Sequence, residues 1–227
     1  MELRTHTART TKDIDLTLHD GTRLSKDPNE RREQVRAMLQ EAAATPFADF
    51  FEFLVSEARE DLEGAPGGGS RYPVQARMDG RGFARFHVDV GIGDEVLEPL
   101  DVVTGEDWLG FGGVEPPSFP VISAEQQFAE KLHAYTLPRG ERVDARTKYL
   151  VDMALLIREE KLDRAKTAAA VRATFAKRAT HEVPKELGPP PPEREPVFDA
   201  LARECNLDMK LHAGFEAVRE FTRTLGI

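Results

Sequence analysis

The chain has 227 residues, 40% of them apolar, which is enough to bury a real core in one large domain or two small ones. Its net charge of −9 excludes a surface that grips nucleic acid all round, while leaving room for a local basic patch. A single cysteine, Cys205, excludes an internal disulfide and a cysteine-built zinc site, and it points to a reducing, cytoplasmic setting.

No apolar run is long enough to span a bilayer and no charged-then-apolar leader opens the sequence, so no membrane association is expected. The first predicted element is a strand over Asp13-Ile-Asp-Leu-Thr-Leu18. Side chains alternate along a strand, so Asp13 and Asp15 project to one side while Ile14, Leu16 and Leu18 are expected to bury on the other. Two aspartates held side by side repel each other unless a cation sits between them, and a divalent metal such as Mg²⁺ is the usual answer. The pair therefore predicts metal-dependent phosphoryl or nucleotidyl transfer, against the plainer alternative of an edge strand with incidental surface acids.

Gly21 marks a turn, and Asp27-Pro-Asn-Glu30 has the acid cap and early proline of a helix start. Val35, Met38, Leu39, Ala42 and Ala43 form the apolar face of that helix. Phe50–Val55 reads as a strand, rich in aromatic and β-branched residues. The glycines Gly67-Gly-Gly69 lack the lysine-serine ending of a phosphate-binding loop and are read as a flexible connection. Runs over 72–78 and 83–90, joined by Asp79-Gly-Arg-Gly82, predict an antiparallel hairpin. Its second strand carries His87-Val-Asp-Val90, and an acid between two valines is costly unless paired or metal-bound. Asp89 thus joins Asp13 and Asp15 in a three-carboxylate set suited to Mg²⁺ and in-line displacement at phosphorus.

After Pro116–Pro120 the pattern turns helical, starting at Ser123 with Gln126 three residues on. Phe128, Leu132 and Tyr135 make a buried stripe, flanked by Glu130 and Lys131, and His133 falls elsewhere without an assigned role. Lys131 is either a solvated helix lysine or a point charge for triphosphate oxygens. Lys148 and Asp152 share a helical face, as an ordinary ion pair would, but Leu150, Val151, Met153 and Leu155 predict a buried helix in which a lone acid has a purpose. The segment from Arg158 to Arg178 is a basic island, compatible with RNA phosphates or with a solvated helix face. Gly188-Pro-Pro-Pro-Pro192 is a stiff extended spacer. The expected division is an α/β core over 1–120 and a helical domain over 121–227.

Taken together, Arg9–Leu16, Phe86–Asp94, Phe128–Tyr135 and Lys148–Leu155 resemble the AbiEii/AbiGii toxin family, a branch of the polymerase-β-like nucleotidyltransferases. The resemblance extends over essentially the whole chain. It implies an α+β fold, with a mixed-sheet nucleotidyltransferase core followed by a helical domain. It also implies a toxin of a toxin–antitoxin or phage-defence pair, moving nucleotides from an NTP to an RNA, foremost tRNA, with Mg²⁺, beside a cognate antitoxin protein. Carried over residue by residue, Asp13 and Asp15 match the metal-binding pair and Thr11 the small hydroxyl residue beside it. Lys131 matches the NTP-binding lysine, while Lys148 and Asp152 match the lysine-to-aspartate helix. Asp89 enters as a third metal ligand from the general fold pattern. Family members carry a Gly-Gly segment ahead of the acidic strand; Met1-Glu-Leu-Arg4 resembles its tail and the glycines are absent. Either the chain starts at a misassigned initiator, or it lacks part of the phosphate grip. Two alternatives follow: an impaired remnant acting as a binding module, and an enzyme that modifies a small molecule such as an antibiotic.

Overall fold

The computed structural model describes residues 4–5, 13–18, 21–45, 50–62, 65–108, 110–113, 115–138 and 144–227. The chain forms two compact units, residues 11–95 and residues 1–10 with 96–227.

The first unit holds β1 (Asp13–Leu18), α1 (Pro28–Ala43), β2 (Phe51–Val55), β3 (Glu60–Asp61), β4 (Gly69–Met78) and β5 (Arg81–Ile92). The sheet order is β1-β5-β4-β2, with β3 also paired to β4. β1 runs parallel to β5 and every other pairing is antiparallel, so the sheet is mixed. Asp27 caps α1, its carboxylate accepting from the amides of Asn29 and Glu30. Val35 of α1 packs with Val55, Tyr72, Val74, Val88 and Val90 on one sheet face. The buried Tyr72 hydroxyl donates to the Arg32 carbonyl, tying helix to sheet. Gln40 closes part of the β2 edge, its amide oxygen accepting from Val55 N and its NH₂ donating to the Phe53 carbonyl.

The hairpin β4–β5 turns through Asp79 and Gly80, both at positive φ (49° and 73°), the two-residue geometry that matches strand twist. A bulge between Ala76 and Arg77 then shifts the register by one residue. Gly67 and Gly69 are no slack connection. They extend this ladder, with Gly67 N donating to Ile92 O and Ile92 N to Gly68 O. A Cβ on Gly69 would lie 2.6 Å from the Val90 carbonyl, so the close approach requires glycine there.

Two burial expectations are corrected. Ile14 and Leu16 are 47% and 44% exposed, because β1 is an edge strand and α1 covers the inner strands; only Leu18 reaches the core. Met38 is likewise exposed, on the outer side of α1.

The second unit holds a two-stranded ribbon of β6 (Asp101–Thr104) and β7 (Ser118–Val121). The helices α2 (Ala124–Thr136), α3 (Asp144–Glu159), α4 (Arg164–Arg178), α5 (Glu195–Glu204) and α6 (Leu211–Thr224) follow. Arg4 belongs here, its guanidinium donating to Asp101 and to the Ile122 carbonyl. Ser123 caps α2 by accepting from Gln126 N, while the Gln126 side chain accepts from Leu97 N. Phe128, Leu132, Leu150, Val151, Met153, Leu155 and Phe198 are fully buried in its core, as their spacing requires. α4 ends on Ala179 at positive φ, and the chain stays irregular through the proline spacer until a short 3-10 turn at Pro192–Arg194 opens α5. No helix among the described residues is long and apolar enough to cross a membrane.

Two predictions arise from this packing. A Cβ on Gly214 of α6 would lie 2.6 Å from the Phe198 ring of α5. Overpacking therefore outweighs the roughly 1 kcal/mol that alanine gains over glycine in helix propensity. Gly214→Ala should lower stability by about 1 kcal/mol or more in urea melts. The second concerns pH. His133 is buried against Phe175 and His181, with its Nε2 within 2.8 Å of Thr180 Oγ1 and His181 Nε2 within 2.8 Å of Thr136 Oγ1. Burial pushes the His181 pKa below its ordinary value. The unfolded chain then binds the proton first, so stability is held above about pH 6.5 and declines as pH falls through that value. Thermal melts at successive pH values should show this decline, and His181→Gln should flatten it.

Candidate functional site

The acids of the first unit share one sheet face. Parallel pairing sets Asp13 opposite His87 and Asp15 opposite Asp89, and the antiparallel ladder sets Asp89 opposite Arg71. Laterally paired residues present side chains to the same side, so Asp13, Asp15, His87, Asp89 and Arg71 all lie on the face away from α1. Asp15 is exposed and the Asp13 side chain is 41% exposed. Asp89 is buried, because the Arg71 guanidinium lies over it with bonds of 2.8 and 2.7 Å to its two carboxylate oxygens. The same guanidinium stands 3.8 Å from Asp13, and His87 Nδ1 is 3.3 Å from Asp13 Oδ1. The Arg71–Asp89 contact is fork-on-carboxylate, the strong geometry for an arginine–aspartate pair.

In the second unit the expected Lys148–Asp152 pair is replaced. Asp152, only 1% exposed, pairs with Lys131 of α2 at 3.4 Å, and Lys131 also lies over the Tyr149 ring at 5.6 Å. Lys131 is thus neither a solvated lysine nor a loose one: Asp152 and Tyr149 fix its direction. Lys148 is exposed on α3. Thr11 lies outside the described residues.

The family model for the nucleotidyl transferase AbiEii toxin of type IV toxin–antitoxin systems matches residues 1–219, nearly the full chain. The chain belongs to the AbiEii nucleotidyltransferase toxin family. Among solved structures, the nucleotidyltransferase toxin MenT4 of Mycobacterium tuberculosis is similar to it at 15% identity and a TM-score of 0.52. That match covers 97% of this chain and 78% of the other. At that identity the likeness speaks for the shared mixed α+β fold. No curated protein matches the sequence.

AbiEii-type transferases use an NTP and a divalent metal. Among the described residues, no group of three or more His, Cys, Asp or Glu is gathered tightly enough to hold a metal ion. The expected three-acid cluster has a guanidinium in it instead: Arg71 supplies the positive charge that crowded carboxylates demand. The donor chemistry nonetheless fits Mg²⁺, since Asp13 and Asp15 offer hard carboxylate oxygens on an accessible face.

Sequence reading did not assign Arg71 or His87. His87 was within reach, because it alternates with Asp89 and so shares its face. Arg71 was not, because a hairpin without the bulge at Ala76/Arg77 would set Arg71 opposite Val88. In the basic segment, Arg158 bonds the Asn206 carbonyl and Arg178 lies 4.0 Å from Glu130. Arg164, Lys166, Arg172 and Lys177 are exposed, but at about 100° per residue they spread round α4 rather than forming one stripe.

Proposed function

We propose that this AbiEii chain transfers a nucleoside monophosphate from an NTP to a hydroxyl of an RNA acceptor, with tRNA the expected one. The observation that supports the reading best is the shared sheet face of Asp13, Asp15 and Asp89, with Asp15 exposed and Asp13 half-buried. In the reaction an acceptor oxygen bonds to the α-phosphorus, the bond from that phosphorus to the bridging oxygen breaks, and pyrophosphate leaves. Asp13 and Asp15 would hold Mg²⁺, and the ion would supply charge that neutralises the phosphate and favours loss of the hydroxyl proton. Asp89, now bonded by Arg71 through both carboxylate oxygens, would join them only once that pair opens. The chain's own groups do the rest. Arg71 holds Asp89 in place and balances charge on the acidic face until substrate arrives. A carboxylate oxygen of that face takes the acceptor proton. Lys131, aimed by Asp152, carries NTP phosphate charge, and Thr11 and Lys148 complete the nucleotide contacts. Exposed cations of the 158–178 segment contribute to RNA attraction. The setting is cytoplasmic, with the family's antitoxin as partner.

A second reading rests on one contact: if the Arg71–Asp89 pair never opens, the acids stay neutralised and the chain acts as a binding module. Induced expression in a bacterial host separates the two. The enzyme reading requires growth arrest that Asp13→Ala relieves; equal arrest by both proteins would rule it out.

A further inference from the structure

The acidic face does not end at the acids. Along β5, Arg85, His87 and Asp89 alternate onto the same side, and the antiparallel partners Gln75 and Arg71 face them from β4. Beyond the bulge Arg77 continues the row, opposite Glu52 of β2. The face therefore carries carboxylates at one end and cations towards the hairpin tip, with Glu52 the acid beside them. Arg85 is exposed and Arg77 half-buried, and among the described residues neither makes an ion pair. Two guanidinium groups on one face, neither in an ion pair among the described residues, need a reason in a chain whose net charge is −9.

We infer that Arg85 and Arg77 form the track on which the phosphodiester backbone of the RNA acceptor lies. The inference rests on the transfer reaction proposed above and adds where its acceptor is held. At about 3.4 Å per residue, Arg85 lies roughly 14 Å along the strand from Asp89. An acceptor whose terminal hydroxyl reaches the carboxylates would thus pass its preceding phosphates over the guanidinium groups. Carboxylates alone repel a polyanion; cations set back from them offset that repulsion and fix the direction of the strand. Arginine suits the task, since its planar fork bonds two phosphate oxygens at once. The contacts are to backbone, so they confer register rather than sequence preference. An acidic partner protein would also be attracted, but it would not need the row to lead into a carboxylate site.

The test compares wild type, Arg77→Glu/Arg85→Glu and the charge-matched control Lys185→Glu/Arg223→Glu. The control's cations are exposed on the second unit and have no role assigned above. Binding of bulk tRNA is followed by fluorescence anisotropy across a salt series, independently of catalysis, and label transfer from NTP is measured in parallel. The inference requires the Arg77/Arg85 variant to bind tRNA roughly tenfold or more weakly, with a salt slope reduced by about 1.5, while the control matches wild type. Arg77→Lys/Arg85→Lys should recover most of the binding. Transfer by Arg77→Glu/Arg85→Glu should fail through KM for RNA rather than through kcat. If wild type labels RNA and the variant binds and labels equally well, the track is overturned and the transfer reaction stands. If wild type neither binds nor labels RNA, both are overturned. Thermal melts check folding, and the half-buried position of Arg77 makes Arg85→Glu alone the fallback, with a smaller expected loss in the same direction.

Discussion

Asp15→Asn should abolish nucleotide transfer while leaving the fold intact. Asp15 sits on an edge strand, exposed, and faces Asp89 across the parallel β1–β5 pair. Asparagine keeps the shape and removes the charge, so the expected stability change stays within about 0.5 kcal/mol, as for other surface substitutions. Activity is another matter. Loss of one electrostatic contact to the developing charge costs about 10²–10³-fold, and a metal ligand stands at or above the top of that range. Relieving repulsion among the three acids even favours slight stabilisation. Full loss of transfer with an unchanged urea midpoint identifies Asp15 as part of the chemistry. Retained transfer would make the pair incidental surface acids.

Lys131→Met should have the largest effect on stability among polar substitutions. Asp152 is 1% exposed and Lys131 lies 3.4 Å from it, on a different helix. Removing one member of a buried pair takes away an attraction that offsets the desolvation of the other, at a cost of up to about 3–5 kcal/mol. The double substitution Lys131→Met/Asp152→Leu should recover part of that loss, because it also removes the desolvation cost of the buried carboxylate. Urea melts of the two single variants and the double variant give the coupling energy. Both Lys131 variants should need more NTP, read as a raised KM. A Lys131→Met chain as stable as wild type would contradict the buried-pair account, and an unchanged KM in the refolded double variant would remove Lys131 from the nucleotide contacts.

The elements that chain-local patterns determine were legible. Period-two alternation found β1 and the β4–β5 hairpin, Asp27 and Ser123 announced two helices, and the apolar stripe on α2 predicted its buried residues correctly. The motifs likewise led to the AbiEii family that the whole-chain match supports. What failed depended on neighbours distant in sequence. Burial of Ile14 and Leu16 hinged on β1 lying at an edge, which alternation cannot reveal. Asp152 pairs with a lysine of α2, although a residue four positions away on its own helix offered the simpler pair. Arg71 depended on a single bulge, and a one-residue slip changes every facing pair in the hairpin. The shared face of Asp13, Asp15 and Asp89 was legible only in part, since it needs β1 to pair with β5 in parallel and in that register.

The most direct measurement is transfer itself. Purified protein is incubated with Mg²⁺, total tRNA and each of the four NTPs labelled at the α-phosphate, with EDTA and Asp13→Ala as controls. The account predicts label in RNA from at least one NTP, lost with EDTA and absent with Asp13→Ala. No label from any NTP, or label that persists when Asp13 is removed, would contradict it.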